Sequence, residues 1–302
     1  MNTDKAIVQP IKIALPGEGQ FSFDIKRDDC IDEVVSGNKW RKLKYAIQQA
    51  KKLSKTGILT FGGAFSNHLV ATAKTCQLHG LNAIGIVRGE ELNENSNASL
   101  KDCVRFGMKL LFVSRAIYKE RYDYAYLSQL KMEYNSYFVV PEGGASFYGV
   151  VGCQEIMTET TNDYDHVVLA AGTGTTAAGV VLSVPLKTKV HVIPVLKADG
   201  LLYHELNEKL NWVANDIKVT DELLEKVTIH EQFHFGGYAK ITDELIQFMK
   251  DFHEQTNVQL DPVYTSKAMY GLIELTKQKV IQPNQRTLFI HTGGLQGLRG
   301  LD

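Results

Sequence analysis

What most constrains this chain is a unit that recurs along it. A short run, apolar at nearly every position, ends in glycine and is followed by a stretch with helical periodicity. "GILTFGG" (57–63), "NAIGIVRG" (82–89), "HVVLAAGTG" (166–174) and "RTLFIHTGG" (286–294) are such runs, and "KLLFVS" (109–114) and "KVHVIPVL" (189–196) are apolar in the same way. A strand with one wet face alternates apolar and polar residues, whereas a run apolar throughout is covered on both faces, as parallel strands under helices are. Strands alternating with helices predict an α/β protein of two interwoven domains, each with a largely parallel sheet flanked by helices. The glycines fall at the C-terminal strand ends, where such sheets bind ligands.

Between the runs lie the helices. After "SGNK" (36–39), the spacing puts Trp40, Leu43, Ile47, Ala50 and Leu53 on one face, with Lys and Gln opposite. "SNHLVATAKTCQLHG" (66–80) reads as a helix with Ser66 and Asn67 at its N-terminus, where their side chains can cap free N–H groups. A tyrosine-rich helical stretch is expected over 118–135, and no linker, low-complexity segment or fixed-period repeat interrupts the alternation.

Composition excludes several classes. A net charge of −1 over 302 residues gives no field to attract nucleic acid or an anionic membrane. The opening "MNTDKAIVQPIKIAL" has Asp4 and Pro10 where a secretory leader needs a basic end and an apolar run. No apolar stretch reaches the roughly 18 residues of a membrane span. A cytoplasmic protein is expected. Cys30, Cys76, Cys103 and Cys153 are scattered, with no C-x-x-C pair, as reduced thiols are.

Three motifs carry possible chemistry. "AAGTGTTAAG" (170–179) has Gly172 and Gly174 to turn the chain, with Thr173, Thr175 and Thr176 adding hydroxyls to the N–H groups of a helix start, a phosphate-binding arrangement. It lacks the Gly-Lys-Ser/Thr of a nucleotide P-loop but satisfies G-x-G-x-x-A through Gly172, Gly174 and Ala177. A nicotinamide-dependent oxidoreductase would call on an acid after the next strand, for which Asp199 comes late. "HEQFH" (230–234) fits the zinc-peptidase motif, yet it follows "VTI" and precedes two glycines, the context of a strand running into a loop. No metal site is expected there. In "GNKWRK" (37–42), Lys39 is expected in a small turn just ahead of a helix, beside Arg41 and Lys42, whose charges can lower its pKa or share an anion with it.

"GNKWRKL", "GGAFSNH", "GTGTT", "LDPVYTSKAMYGLIEL" and "HTGG" occur in this order over nearly the whole chain. Together they resemble the pyridoxal-phosphate (PLP) enzymes of fold type II, the tryptophan synthase β type. Within these the sequence is similar to the 1-aminocyclopropane-1-carboxylate (ACC) deaminase and D-cysteine desulfhydrase family. The resemblance implies a large PLP-binding domain of residues 1–42 and 141–302, a smaller α/β domain of 43–140, and a homodimer. It implies that Lys39 carries PLP as a Schiff base. Thr173, Gly174, Thr175 and Thr176 would hold the phosphate with Lys42, Asn67 the ring 3′-oxygen, and Ser66 with its helix N-terminus the substrate carboxylate. Tyr238 and Tyr264 match active-site tyrosines that orient substrate or move protons.

Two positions speak to the substrate. ACC deaminases have a glutamate after the "DPVY" tyrosine and a leucine in "HLGG"; this sequence has Thr265 and Thr292, as the desulfhydrases do. A carboxylate at the pyridine nitrogen keeps it protonated and the ring a strong electron sink, whereas a hydroxyl holds that proton less well and suits loss of a good thiolate leaving group. The resemblance therefore implies a PLP-dependent lyase acting on a small amino acid by β-elimination, with ACC deaminase as the alternative. Trp40, Phe65 and Val70 depart from the family pattern on what would be the substrate side.

Overall fold

The structure, a computed structural model, describes residues 3–15, 19–197 and 200–300. The chain divides into two compact units, Met1–Asn38 with Cys153–Asp302, and Lys39–Gly152. The first begins with β1 (Val8–Leu15) and β2 (Gly19–Lys26), paired antiparallel from Val8↔Lys26 to Leu15↔Gly19. Along β1, Ile11, Ile13 and Leu15 are buried while Pro10, Lys12 and Ala14 face solvent, the period-two pattern of a strand with one wet face. β1 lies at the sheet edge, where a proline costs no ladder bond.

The chain then builds the second unit, contiguous in sequence. Its elements are α1 (Asn38–Lys52), β3 (Gly57–Gly62), α2 (Asn67–His79), β4 (Asn82–Arg88), α3 (Ala98–Arg105), β5 (Met108–Val113), α4 (Arg115–Lys119), α5 (Tyr124–Glu133), β6 (Tyr137–Val140) and α6 (Phe147–Thr158). Within α6 the chain passes back to the first unit. The strands form an all-parallel sheet in the order β5-β4-β3-β6. Every residue of the inner strand β3 is buried. Leu59 and Phe61 join Ile84, Ile86, Tyr118 and Leu130 in one cluster, and burying an apolar side chain of this size contributes about 1.5–3 kcal/mol. On α1, Trp40, Leu43, Ile47 and Ala50 are buried, but Leu53 lies past the last helical residue and is half exposed. The tyrosine-rich stretch is two helices rather than one, because the Asp123 side chain accepts the Tyr126 N–H and starts α5 afresh.

The first unit resumes with β7 (His166–Ala171), α7 (Thr175–Ser183), β8 (Lys189–Pro194), α8 (Leu201–Ala214), α9 (Ile217–Leu224), β9 (Val227–Ile229), α10 (Asp243–Thr256), α11 (Thr265–Lys277) and β10 (Thr287–Ile290). Its sheet runs β1-β2-β10-β7-β8-β9, parallel at every junction except β1/β2. Phe23 and Ile25 of β2, Val168 of β7, Ile193 of β8 and Phe289 of β10 pack with Phe252 of α10 and Leu272 of α11 in a single core. The architecture is the expected α/β one. The antiparallel edge hairpin is an addition that the apolar runs did not announce. Among the described residues no helix is long and apolar enough to cross a membrane.

Candidate active site

In the first unit, wholly buried β7 delivers the chain to a turn in which Gly174 has φ +73°, a left-handed conformation that glycine adopts without strain. α7 starts at once. The first N–H groups of a helix have no partner inside it and carry its positive dipole end. Thr173 Oγ1 and Thr175 Oγ1 are 3.0 Å apart, and Thr175 and Thr176 are buried. Asn38 Nδ2 donates to Thr176 Oγ1 at 2.9 Å, so the Thr176 oxygen is an acceptor there and its proton points elsewhere.

Tyr264 caps α11 and faces this turn, since a Cβ added to Gly172 would stand 3.4 Å from its ring. The Tyr238 ring lies edge-on to it, centroids 6.3 Å apart. Behind Tyr264, Asp261 is a buried hub. Its Oδ1 accepts from Thr265 N and Thr265 Oγ1, both at 2.7 Å, and its Oδ2 from Val263 N and Tyr264 N, both at 2.9 Å. Burial pushes the Asp261 carboxyl up while these four donors pull it down, and the balance leaves it raised. Thr265 Oγ1 also accepts the Asp261 N–H at 2.8 Å. Its proton is therefore committed to Asp261, and one lone pair remains to offer.

Thr292 follows β10 and is buried. Its carbonyl accepts the Asn38 N–H at 3.2 Å. A Cβ at Gly37 would fall 1.9 Å from that carbonyl oxygen, so only glycine lets the segment before Lys39 lie against the Thr292 loop.

The second unit holds the rest. Lys39 is in the first turn of α1, half-buried, rather than in a turn ahead of the helix; Arg41 and Lys42 beside it are buried. Ser66 caps α2, its Oγ accepting the Leu69 N–H at 3.3 Å, and Asn67 is the first helical residue. His68, to which the sequence reading gave no role, is buried with Nε2 2.8 Å from Thr60 Oγ1. Burial, and then the charges of Lys39 and Lys42, hold its pKa well below the ordinary histidine value. Trp40 is buried, its ring parallel to that of His79 at 6.1 Å. Val70 is likewise core, and only Phe65, 70% exposed, presents its side chain to solvent.

The "HEQFH" histidines share no helix face. His230 follows β9, and a short 3-10 turn, Glu231–Phe233, separates it from His234. His230 Nε2 lies 2.9 Å from His191 Nδ1, while His234 Nδ1 takes the Gly236 N–H at 2.8 Å.

Residues 17–293 match the family described as pyridoxal-phosphate dependent enzyme. The chain belongs to the pyridoxal-phosphate dependent enzymes. It is 34% identical over 281 residues to a Pyrococcus horikoshii protein named after 1-aminocyclopropane-1-carboxylate deaminase, covering 90% of this chain and 84% of that one. An Arabidopsis thaliana protein, bifunctional D-cysteine desulfhydrase/1-aminocyclopropane-1-carboxylate deaminase, mitochondrial, is 33% identical over 295 residues, 91% of this chain and 72% of that one. A solved ACC deaminase homologue superposes with a TM-score of 0.77 at 29% identity, over 97% of this chain and 90% of that one. The residues present fit PLP: the turn at 172–176 offers hydroxyls and helix-start N–H groups with no carboxylate among them. The nicotinamide reading of Gly172, Gly174 and Ala177 lapses with the family; Asp199, on which it called, lies outside the described residues.

Proposed function

We propose that this protein is a lyase of the D-cysteine desulfhydrase type, eliminating the β-substituent of a small amino acid to give pyruvate and ammonia, with sulfide when the substrate is cysteine. In this reading the larger unit is the PLP-binding domain, and the protein works as a cytoplasmic homodimer. Thr173, Gly174, Thr175, Thr176 and Lys42 hold the phosphate, Asn67 the ring 3′-oxygen, and Lys39 the cofactor itself. Ser66 and the start of α2 attract the substrate carboxylate, as a helix N-terminus attracts anions. PLP, when bound, supplies an electron sink for the pair left at Cα. Lys39 Nζ takes the Cα proton, Tyr238 and Tyr264 orient the substrate, and His68 stays neutral, adding no third positive charge beside Lys39 and Lys42. The C–S bond breaks with its electron pair leaving on sulfur, and water hydrolyses the remaining enamine.

The observation that carries elimination over ring opening is the pair of buried threonines, 265 and 292. The carboxylate bonded to Thr265, Asp261, is filled by three N–H groups and a hydroxyl, so it does not replace the glutamate of a deaminase in holding a ring proton. Pyruvate release from D-cysteine, L-cysteine, β-chloro-D-alanine and ACC tests the reading, with Lys39→Ala as the silent control. D-Cysteine and β-chloro-D-alanine should turn over well ahead of ACC. Efficient opening of ACC with D-cysteine untouched would replace this reading by the deaminase one that the relatives' names also support.

A further inference from the structure

The segment "HFGGYAK" (234–240), between β9 and α10, is bent in a way its residues resist. Phe235, Gly236, Gly237 and Ala239 all have positive φ, at 52°, 85°, 112° and 54°. The glycines adopt this freely, but Phe235 and Ala239 do so against their own Cβ atoms. Two successive turns result: Gly237 N donates to His234 O at 3.0 Å, and Lys240 N to Gly237 O at 3.2 Å. Such a loop relaxes unless something outside it holds the bend.

What holds it is on α11. Lys267 is fully buried, and its Nζ donates to His234 O at 2.9 Å and to Gly237 O at 2.7 Å, the same two carbonyls that close the turns. Burial draws the amine's pKa down to about 8, and the charge of Asp261 opposes that shift; the ammonium is thus the main form at neutral pH. Tyr264, Lys267 and Tyr270 stand three residues apart, so they share one helix face. Each meets the loop: Tyr264 the ring of Tyr238, Lys267 the carbonyls, and Tyr270 the Phe235 ring, edge-on at 4.8 Å.

We propose that Lys267 is a positioning residue for Tyr238: its buried ammonium fixes both carbonyls of the double turn, one of them in the peptide bond to Tyr238, and so sets where the phenol stands beside Tyr264. This rests on the reading of Tyr238 as an active-site tyrosine. The conformation is otherwise one the sequence disfavours, and among the described residues Lys267 is the side chain that binds both carbonyls.

The test pairs amide exchange with a double-variant cycle in the PLP-loaded enzyme. In Lys267→Met, the Gly237 and Lys240 amides should exchange at least about tenfold faster, since a bond to a charged donor is lost at each carbonyl. β7 amides should not change, and Lys267→Arg should restore much of the protection. The kcat/KM of Lys267→Met should fall toward that of Tyr238→Phe, and Lys267→Met/Tyr238→Phe should be no worse than the worse single variant. Additive losses would overturn the positioning role. Unchanged exchange in Lys267→Met, with Tyr238→Phe impaired, would overturn the clamp alone. Full activity in Tyr238→Phe would overturn the active-site reading and with it the role given to Lys267, whatever the exchange rates. If Lys267→Met does not fold, Lys267→Gln against Lys267→Arg makes the same comparison.

Discussion

The Thr265 hydroxyl gives its proton to the Asp261 carboxylate and takes the Asp261 N–H in return. With both residues buried, water cannot replace either bond. Thr265→Val should therefore cost about 1–3 kcal/mol of stability, the penalty for unsatisfied buried polar groups. Thr265→Ser should keep most of it. Thr265→Glu, the deaminase residue, should cost more than valine, because it buries a second carboxylate beside Asp261. Urea unfolding of the three variants checks the order; glutamate tolerated as well as serine would mean the Asp261 pocket opens easily. At this scale the sequence named Thr265 but not the partner that claims its proton, because "LDPVYT" shows the two residues without the turn that folds one onto the other.

Three histidines cross the strands on one side of the larger sheet. His166 Nδ1 is 2.9 Å from His191 Nε2, and His191 Nδ1 is 2.9 Å from His230 Nε2. A neutral imidazole has one N–H, so both links form only if the donors run in one direction along the row. Burial first, and then the neighbouring His230 and His166, push His191 down to about 3, and burial lowers His230 too. Unfolded, each would take a proton near pH 6.5. Between pH 6.5 and about 3 the unfolded chain thus binds protons that folded His191 does not. The stability these neutral rings allow is complete above 6.5 and lost as pH falls, by at most ~1.4 kcal/mol per pH unit for each ring. His191→Gln should flatten the fall in urea midpoint from pH 6.5 to 4, and an unchanged slope would mean that other groups set it. β7 and β8 were legible as continuous apolar runs, and β9 only as the short "VTI" strand ahead of "HEQFH". The row was not, because it depends on register between strands about 25 and 39 residues apart. The β1–β2 hairpin escaped notice for the opposite reason: its alternating pattern, broken by Pro10, has none of the continuous apolarity that marked the others.

The two units differ in how the chain supplies them. Lys39–Gly152 is one continuous stretch, whereas the larger unit is made of Met1–Asn38 and Cys153–Asp302. Among the described residues of the larger sheet, β2 meets the parallel strands only through β10, with Asp24 opposite Leu288 and Ile25 opposite Phe289. A chain cut before Thr287 would leave the β1–β2 hairpin with no hydrogen-bonded neighbour, held by side-chain packing alone, and a lone hairpin is marginal in water. Proteolysis of such a truncated chain should cleave within residues 8–26 while sparing 57–140, and a protected hairpin would show that the second strand of the pair finds another partner. The same pairing fixes an order of events at the ribosome. β1 and β2 wait for β10, the edge of β2 bare, while everything between them is made. A chaperone that recognises unpaired strands would find its target in the bare edge of β2, and would be released only once β10 has been made and paired.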